Sequence, residues 1–131
     1  MIKLSSRDVT AMYTLPVRIN SNVIMCEYAR TEEDRQTGLM NRRFMPNNHG
    51  MLFDTFGRYR PTFHMRNVFL PLEALFISTN NKIIDIVSMS PLDGSRLYTT
   101  YKNIPIKWVL ELHRGYCDGH RIKEGDSVFL D

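Results

Sequence analysis

The stretch GMLFDTFGRYRPTFHMRNVFLPLEALFI, residues 50–77, decides how this chain is read, because it sets uninterrupted apolar runs beside polar residues for which a core has little room. Met51-Leu52-Phe53 is short and apolar throughout, the pattern of a strand buried on both faces. A second run, Phe69, Leu70, Leu72, Ala74, Leu75, Phe76 and Ile77, encloses Glu73. A carboxylate in that position needs a donor. The nearest in sequence are His64, Arg66 and Asn67, and these four residues form the candidate binding site. Glu73 and His64 are its candidate acid and base, with Arg66 and Asn67 stabilising an anion. The alternative is that Arg66 and Asn67 only satisfy a half-buried Glu73 where two strands cross. The first reading predicts a wet cavity around Glu73 and a Glu73→Gln variant that still folds.

Upstream, Val17-Arg18-Ile19, the turn residues Asn20-Ser21-Asn22 and the run from Val23 to Tyr28 predict a β-hairpin. Residues 1–14 have no periodic signal and are expected to form a loosely ordered leader, with a single domain over 15–131. Thr31 before Glu32-Glu33-Asp34 is an N-cap followed by acids in a first turn, which predicts a short helix ending near Met40. Residues 41–50 are a polar connection.

Downstream, residues 57–61 break the pattern and 62–68 read as extended again. The segment 74–89, centred on Thr79-Asn80-Asn81-Lys82, is the clearest hairpin, because Asn tolerates left-handed backbone. Residues 90–106 contain Pro91, Gly94 and Pro105 and are expected to cross the surface as a loop. Lys107 to Leu112 alternates as a strand, a helical turn follows Gly115, and Gly125-Asp126 turns into a last strand. That ending is similar to the Gly-Asp turn of cradle-loop barrels, where the Asp bonds backbone N–H groups. The fold class is mainly β with short helices (α+β), a mostly antiparallel small β-barrel.

The motifs Gly38-Leu39-Met40, Gly50-Met51-Leu52-Phe53, Phe63-His64-Met65-Arg66-Asn67, Pro71-Leu72-Glu73 with Phe76-Ile77, and Val109-Leu110-Glu111-Leu112 with Gly115 and Gly125-Asp126 occur in order over residues 17–131. In this order the chain resembles domain-of-unknown-function family 192 (DUF192), small proteins of bacteria, archaea and some phages. His64 stands where that family usually has Trp, Arg66 where it has Lys, and Glu73 where it has Asp. Each replacement keeps a flat ring, a cation or an acid. The resemblance implies a fold but no activity.

With 131 residues, 43% of them hydrophobic and 24% charged, the chain is long enough for one core without a metal or disulfide staple. The formal charge of +3 is spread out, with no nucleic-acid motif, so nucleic acid is not the expected partner. No apolar run approaches the ~20 residues of a membrane span, and the N-terminus has no secretory signal. A soluble, cytoplasmic protein is expected, although relatives in the resembled family are often exported. Cys26 and Cys117 read as free thiols. Met40, Met51 and Met65 with His64 or Cys26 contain the donor types for copper(I), and His113, Cys117 and His120 with Cys26 those for zinc. Core-filling methionines and an exposed turn explain the same residues, and no metal or cofactor is expected.

The function expected from these residues is a binding module for a small molecule or a protein, its barrel mouth lined by His64, Arg66, Asn67 and Glu73 and covered by loops 41–50 and 90–106. A small hydrolase-like enzyme using Glu73, or a phage or host accessory protein acting through its surface, is the alternative.

Overall fold

Turn residues fix the pairing of the strands. The computed structural model describes residues 13–130. Its elements are β1 (Thr14–Ile19), β2 (Asn22–Ala29), α1 (Glu32–Thr37), β3 (His49–Tyr59), β4 (Leu72–Ser78), β5 (Ile83–Met89), β6 (Pro105–His113), α2 (Tyr116–Gly119) and β7 (Val128–Leu130). The β1–β2 and β4–β5 hairpins are those predicted, with Asn20 (φ 56°) and Asn81 (φ 63°) in the left-handed conformation the turns require. Of the expected leader, residues 1–12 lie outside the described residues, while Thr14 already pairs with Glu27. Thr31 caps α1 by accepting from Asp34 N at 3.0 Å. Gly38, at φ 48°, ends the helix before Met40.

The strands form one seven-stranded sheet in the order β5-β4-β6-β3-β2-β1-β7, antiparallel except where β2 runs parallel to β3. The sheet curls until its edges meet. Ile83 N donates to Asp126 O at 3.0 Å, Gly125 N to Ile83 O at 2.7 Å and Val128 N to Asn81 O at 2.8 Å. The result is a mainly β, mostly antiparallel, barrel-like fold with two short helices among the described residues. Asp126 holds this junction, its Oδ2 accepting from Lys123 N at 2.9 Å and Asn20 Nδ2 at 3.1 Å. No described helix is long and apolar enough to cross a membrane.

Two apolar clusters lie on the two faces of the central strands. Leu52, Leu75, Ile77, Leu110 and Leu112 meet Val17, Ile19, Ile24 and Val128 inside the curl. Met51, Phe53, Leu72, Ala74, Phe76 and Val109 lie on the outer face, beneath Leu39, Met45, Met65, Val68, Leu70 and Tyr98. This outer layer is why Met51-Leu52-Phe53 and all seven residues of β4 are buried, with no alternation. Gly50 allows β3 to lie close on β6: a Cβ there would stand 2.6 Å from Glu111 O and 2.7 Å from Leu112 Cδ2.

Two segments differ from their sequence reading. β3 does not end near Gly57; it bulges between Asp54 and Arg58, with Phe56 at φ 55° and Gly57 at φ 76°, and resumes pairing with β6 through Tyr59. Residues 62–68 form a loop rather than a strand, pinned by reciprocal Phe63 and Tyr98 backbone bonds of 2.9 and 2.7 Å.

Glu73 is on the inward face of β4, and its donors are not His64, Arg66 and Asn67. Its Oε1 accepts from Gly115 N at 2.9 Å and its Oε2 from Cys117 N at 2.8 Å, so it ties β4 to the start of α2. It is 5% exposed. Two backbone N–H groups at the start of α2, that of Cys117 buried, bond this one carboxylate. Both Glu73→Ala and Glu73→Gln are therefore expected to lower the melting temperature, by roughly 2–8 °C for each of the ~2–4 kcal/mol lost. Gln is not a rescue, since its amide presents N–H to a backbone N–H. Thermal melts by circular dichroism test this, and a Glu73→Gln variant melting with the parent would overturn the strut role.

Candidate functional site

Glu73 and His64 border different openings. Glu73 borders an open depression of about 470 Å³ with Ile86, Ser88 and Lys123. A cleft of about 410 Å³ lies instead on the outer side of the sheet, between α1, the bulged half of β3 and the loop after it. Loops 41–50 and 90–106 do not line this cleft. They cover the neighbouring apolar layer, through Met45 and Tyr98.

Part of the cleft wall is apolar. Phe53 and Phe63 pack edge to face with ring centroids 5.1 Å apart, beside Leu39, Met40 and Val68. Its floor includes Glu111, the carboxyl that sequence reading treated as the polar side of an alternating strand. Glu111 is 4% exposed and shares the outer face of β6 with Val109. Its neighbours across the strands are Met51 and Ala74. Among the described residues no donor bonds its side chain, and burial alone raises its pKa from the ordinary 4.5 to about 8. Glu111 is thus a neutral acid at neutral pH, with a proton to donate into the cleft.

The bulge shapes the rim. Asp54 Oδ1 accepts from Phe56 N at 3.0 Å and its Oδ2 from Tyr28 OH at 2.8 Å, which fixes the kink and occupies the carboxylate. Burial and the Asp54 bond raise the Tyr28 pKa. Phe56 is 58% exposed, with the guanidinium of Arg35 4.9 Å and that of Arg58 5.9 Å from its ring centroid. Arg35 also donates to Glu32 at 2.8 Å, which with the Gln36 bond lowers the Glu32 pKa. Arg60 Nη2 donates to Tyr101 O at 3.3 Å. The guanidinium of Arg58 donates to no described residue and is exposed at the cleft.

His64 is the one member of the sequence-predicted group that lines the cleft. Its Nδ1 accepts from Arg66 N at 3.1 Å, so the neutral ring carries its proton on Nε2. Burial and, secondarily, the Arg66 charge lower its pKa. Arg66 is exposed and lies over Gly94, where an added Cβ would stand 2.9 Å from Arg66 Cγ. Asn67, at φ 58°, holds loop 41–48 through an Asn41 N to Asn67 O bond of 2.7 Å. His64, Arg66 and Asn67 are together on one loop, and Glu73 is apart from them.

The residues weighed as metal donors have separate attachments. His113 Nε2 bonds Met45 O at 2.6 Å, and His120 stacks on Tyr116 at 3.8 Å with Nδ1 2.8 Å from Tyr116 O. Cys26 and Cys117 are free and buried. Burial pushes the Cys26 thiol up to about 12, and burial followed by the Glu73 bond raises Cys117 as well, so both are inert as nucleophiles. Met51 and Met65 are core residues, with Met40 packed against them. Among the described residues no three His, Cys, Asp or Glu side chains are grouped to hold a metal.

The model of the family described as Uncharacterized ACR, DUF192, matches residues 15–130. No curated protein matches the chain. A crystal structure of a protein of unknown function from Novosphingobium aromaticivorans DSM 12444 is similar with a TM-score of 0.84 and 27% identity, covering 98% of this chain and 93% of that one. A second, from Sinorhizobium meliloti 1021, whose description proposes a transcription regulator, has a TM-score of 0.81 and 31% identity over 91% of this chain and 95% of its own. With nearly its whole length matched, the chain belongs to domain-of-unknown-function family 192.

Proposed function

We propose that the protein is a small-molecule-binding module and that its site is the outer cleft floored by Glu111. The observation that carries this reading is a buried carboxyl, bonded by no described residue, that lines a cleft of about 410 Å³ with an apolar wall and a charged rim. For folding alone such a group is a cost, since a polar side chain held out of water without a partner destabilises by roughly 1–3 kcal/mol. A ligand that accepts the Glu111 proton in a hydrogen bond, and covers Phe63 and Val68, offsets that cost when bound. Should the cleft also carry out chemistry, Glu111 is its acid and the Nε2–H of His64 a second donor, because Glu73 is occupied by Gly115 and Cys117.

Two outcomes are expected. Glu111→Met, similar in length and wholly apolar, should raise stability by about 1–3 kcal/mol in urea unfolding at pH 7. The same variant should lose binding of those members of a small-molecule fragment mixture that shift the Gly38, Phe53 and Thr55 amide resonances of the parent. Fragments that shift those resonances equally in both proteins would overturn the role of Glu111.

The pH dependence has a definite sign. Below pH 4.5 the folded and unfolded chains both hold the Glu111 proton. Between 4.5 and about 8 only the folded chain keeps it, so stability falls as pH rises, by at most roughly 1.4 kcal/mol per unit. Above about 8 this contribution is gone. The stability difference between parent and Glu111→Gln, followed by urea unfolding across that range, should show this slope. A flat difference would mean that Glu111 is already ionised in the fold.

A further inference from the structure

Resting on the reading of the outer cleft as a binding site, we infer that its ligand is an aryl carboxylate, the ring lying against Phe63 and Val68 and the carboxylate held at the rim by Arg58 and Arg60. The charges facing the cleft support an anion. α1 contributes Glu32 and Arg35; β3 and the residue after it contribute Asp54, Arg58 and Arg60; the following loop contributes His64. Glu32 is taken by Arg35 and Gln36, and Asp54 by Tyr28 and Phe56 N. Three guanidiniums against two carboxylates leave a net charge of +1 while Glu111 and His64 are neutral. The cations left with free side-chain N–H groups are Arg58, whose guanidinium has no hydrogen-bond partner among the described residues, and Arg60, which spends one group on Tyr101 O.

The flat body follows from the walls. Phe63 stands edge to face with both Phe53 and Phe76, at 75° and 76°, and Phe63 and Phe53 both line the cleft, where a further ring can pack against them. Ionisation of Glu111 would cancel the net positive charge, so anion binding is coupled to that proton: the anion is held while Glu111 is neutral and weakened once it ionises.

Benzoate and its neutral analogue benzamide test this, followed through the methyl resonances of Leu39, Met40 and Val68 at the cleft. At pH 6.5 benzoate should bind about tenfold more tightly than benzamide, the worth of a charge-assisted bond. The Arg58→Gln, Arg60→Gln double variant should erase that preference and leave benzamide binding unchanged. Raising the pH to about 9.5 should weaken benzoate binding to the parent and not to Glu111→Gln. Equal binding of the two probes by the parent, or a preference that survives the double variant, would overturn the anion assignment while leaving the cleft as a binding site. A benzoate affinity that does not change with pH would overturn the coupling to Glu111. If neither probe moves the cleft methyls, both the anion assignment and the cleft reading beneath it fall.

Discussion

Burial of the central strands on both faces governs what this chain does with its acids. Once β3, β4 and β6 are closed off inside by the curl of the sheet and outside by the loop layer, neither side of them is wet, and each polar side chain on them must find a partner or remain without one. Two glutamates meet this constraint on opposite faces. Glu73 points inward, where the chain leaving β6 turns at Gly115, φ 89°, and brings two free N–H groups to it. Glu111 points outward, where the loop layer is incomplete and no described donor reaches it. One became a strut and the other the floor of a cleft, and the difference lies in where backbone N–H groups are available.

The cleft exists because β3 outlasts its parallel partner. β2 pairs with β3 only as far as Ala29 opposite Phe53, and the chain then leaves into α1. Beyond that point β3 keeps only β6, and the bulge at Phe56 and Gly57 turns its free side outward. A left-handed Phe with 58% of its surface exposed is an unfavourable conformation, offset here by the Asp54 bond to its N–H and by the two guanidiniums at its ring. The same kink that ends the regular ladder carries Arg58 and Arg60 to the rim.

Much of the fold was legible because its signals are local. Asn at the hairpin turns, Thr31 with its acids and the Gly125-Asp126 turn each specify backbone geometry within a few residues, and each is found where the sequence places it, whereas α1 stops at Thr37, short of the Met40 that its apolar face suggests. The site was legible only in part. Glu73 within PLEALFI was correctly marked as needing donors, but those donors come from Gly115 and Cys117, some forty residues on, as backbone atoms that no side-chain pattern announces. Glu111 within VLEL carries the same signal, a carboxylate between leucines. Strict alternation in residues 107–112 does not single it out, because alternation cannot reveal a loop layer that covers the Glu111 face. His64 reached the cleft, and Arg66 and Asn67 went to loop packing instead.

The same accounting explains why the cleft stays open and polar rather than filling with side chains. Closing it would take Glu111, 4% exposed, wholly out of solvent while no described residue donates to its carboxyl. Arg35 and Glu32, Asp54 and Tyr28 are each held by partners of their own, so none can swing in to satisfy it. His64 is fixed at Nδ1 by the backbone of Arg66, which leaves Nε2 as its free atom, and that nitrogen in the neutral ring is a donor like the protonated Glu111. The carbonyl oxygen of Glu111 is able to accept from that N–H, but no bond joins the two side chains, and both protons are left without an acceptor among the described residues. What both require is an acceptor, and it has to come from outside the chain or from water.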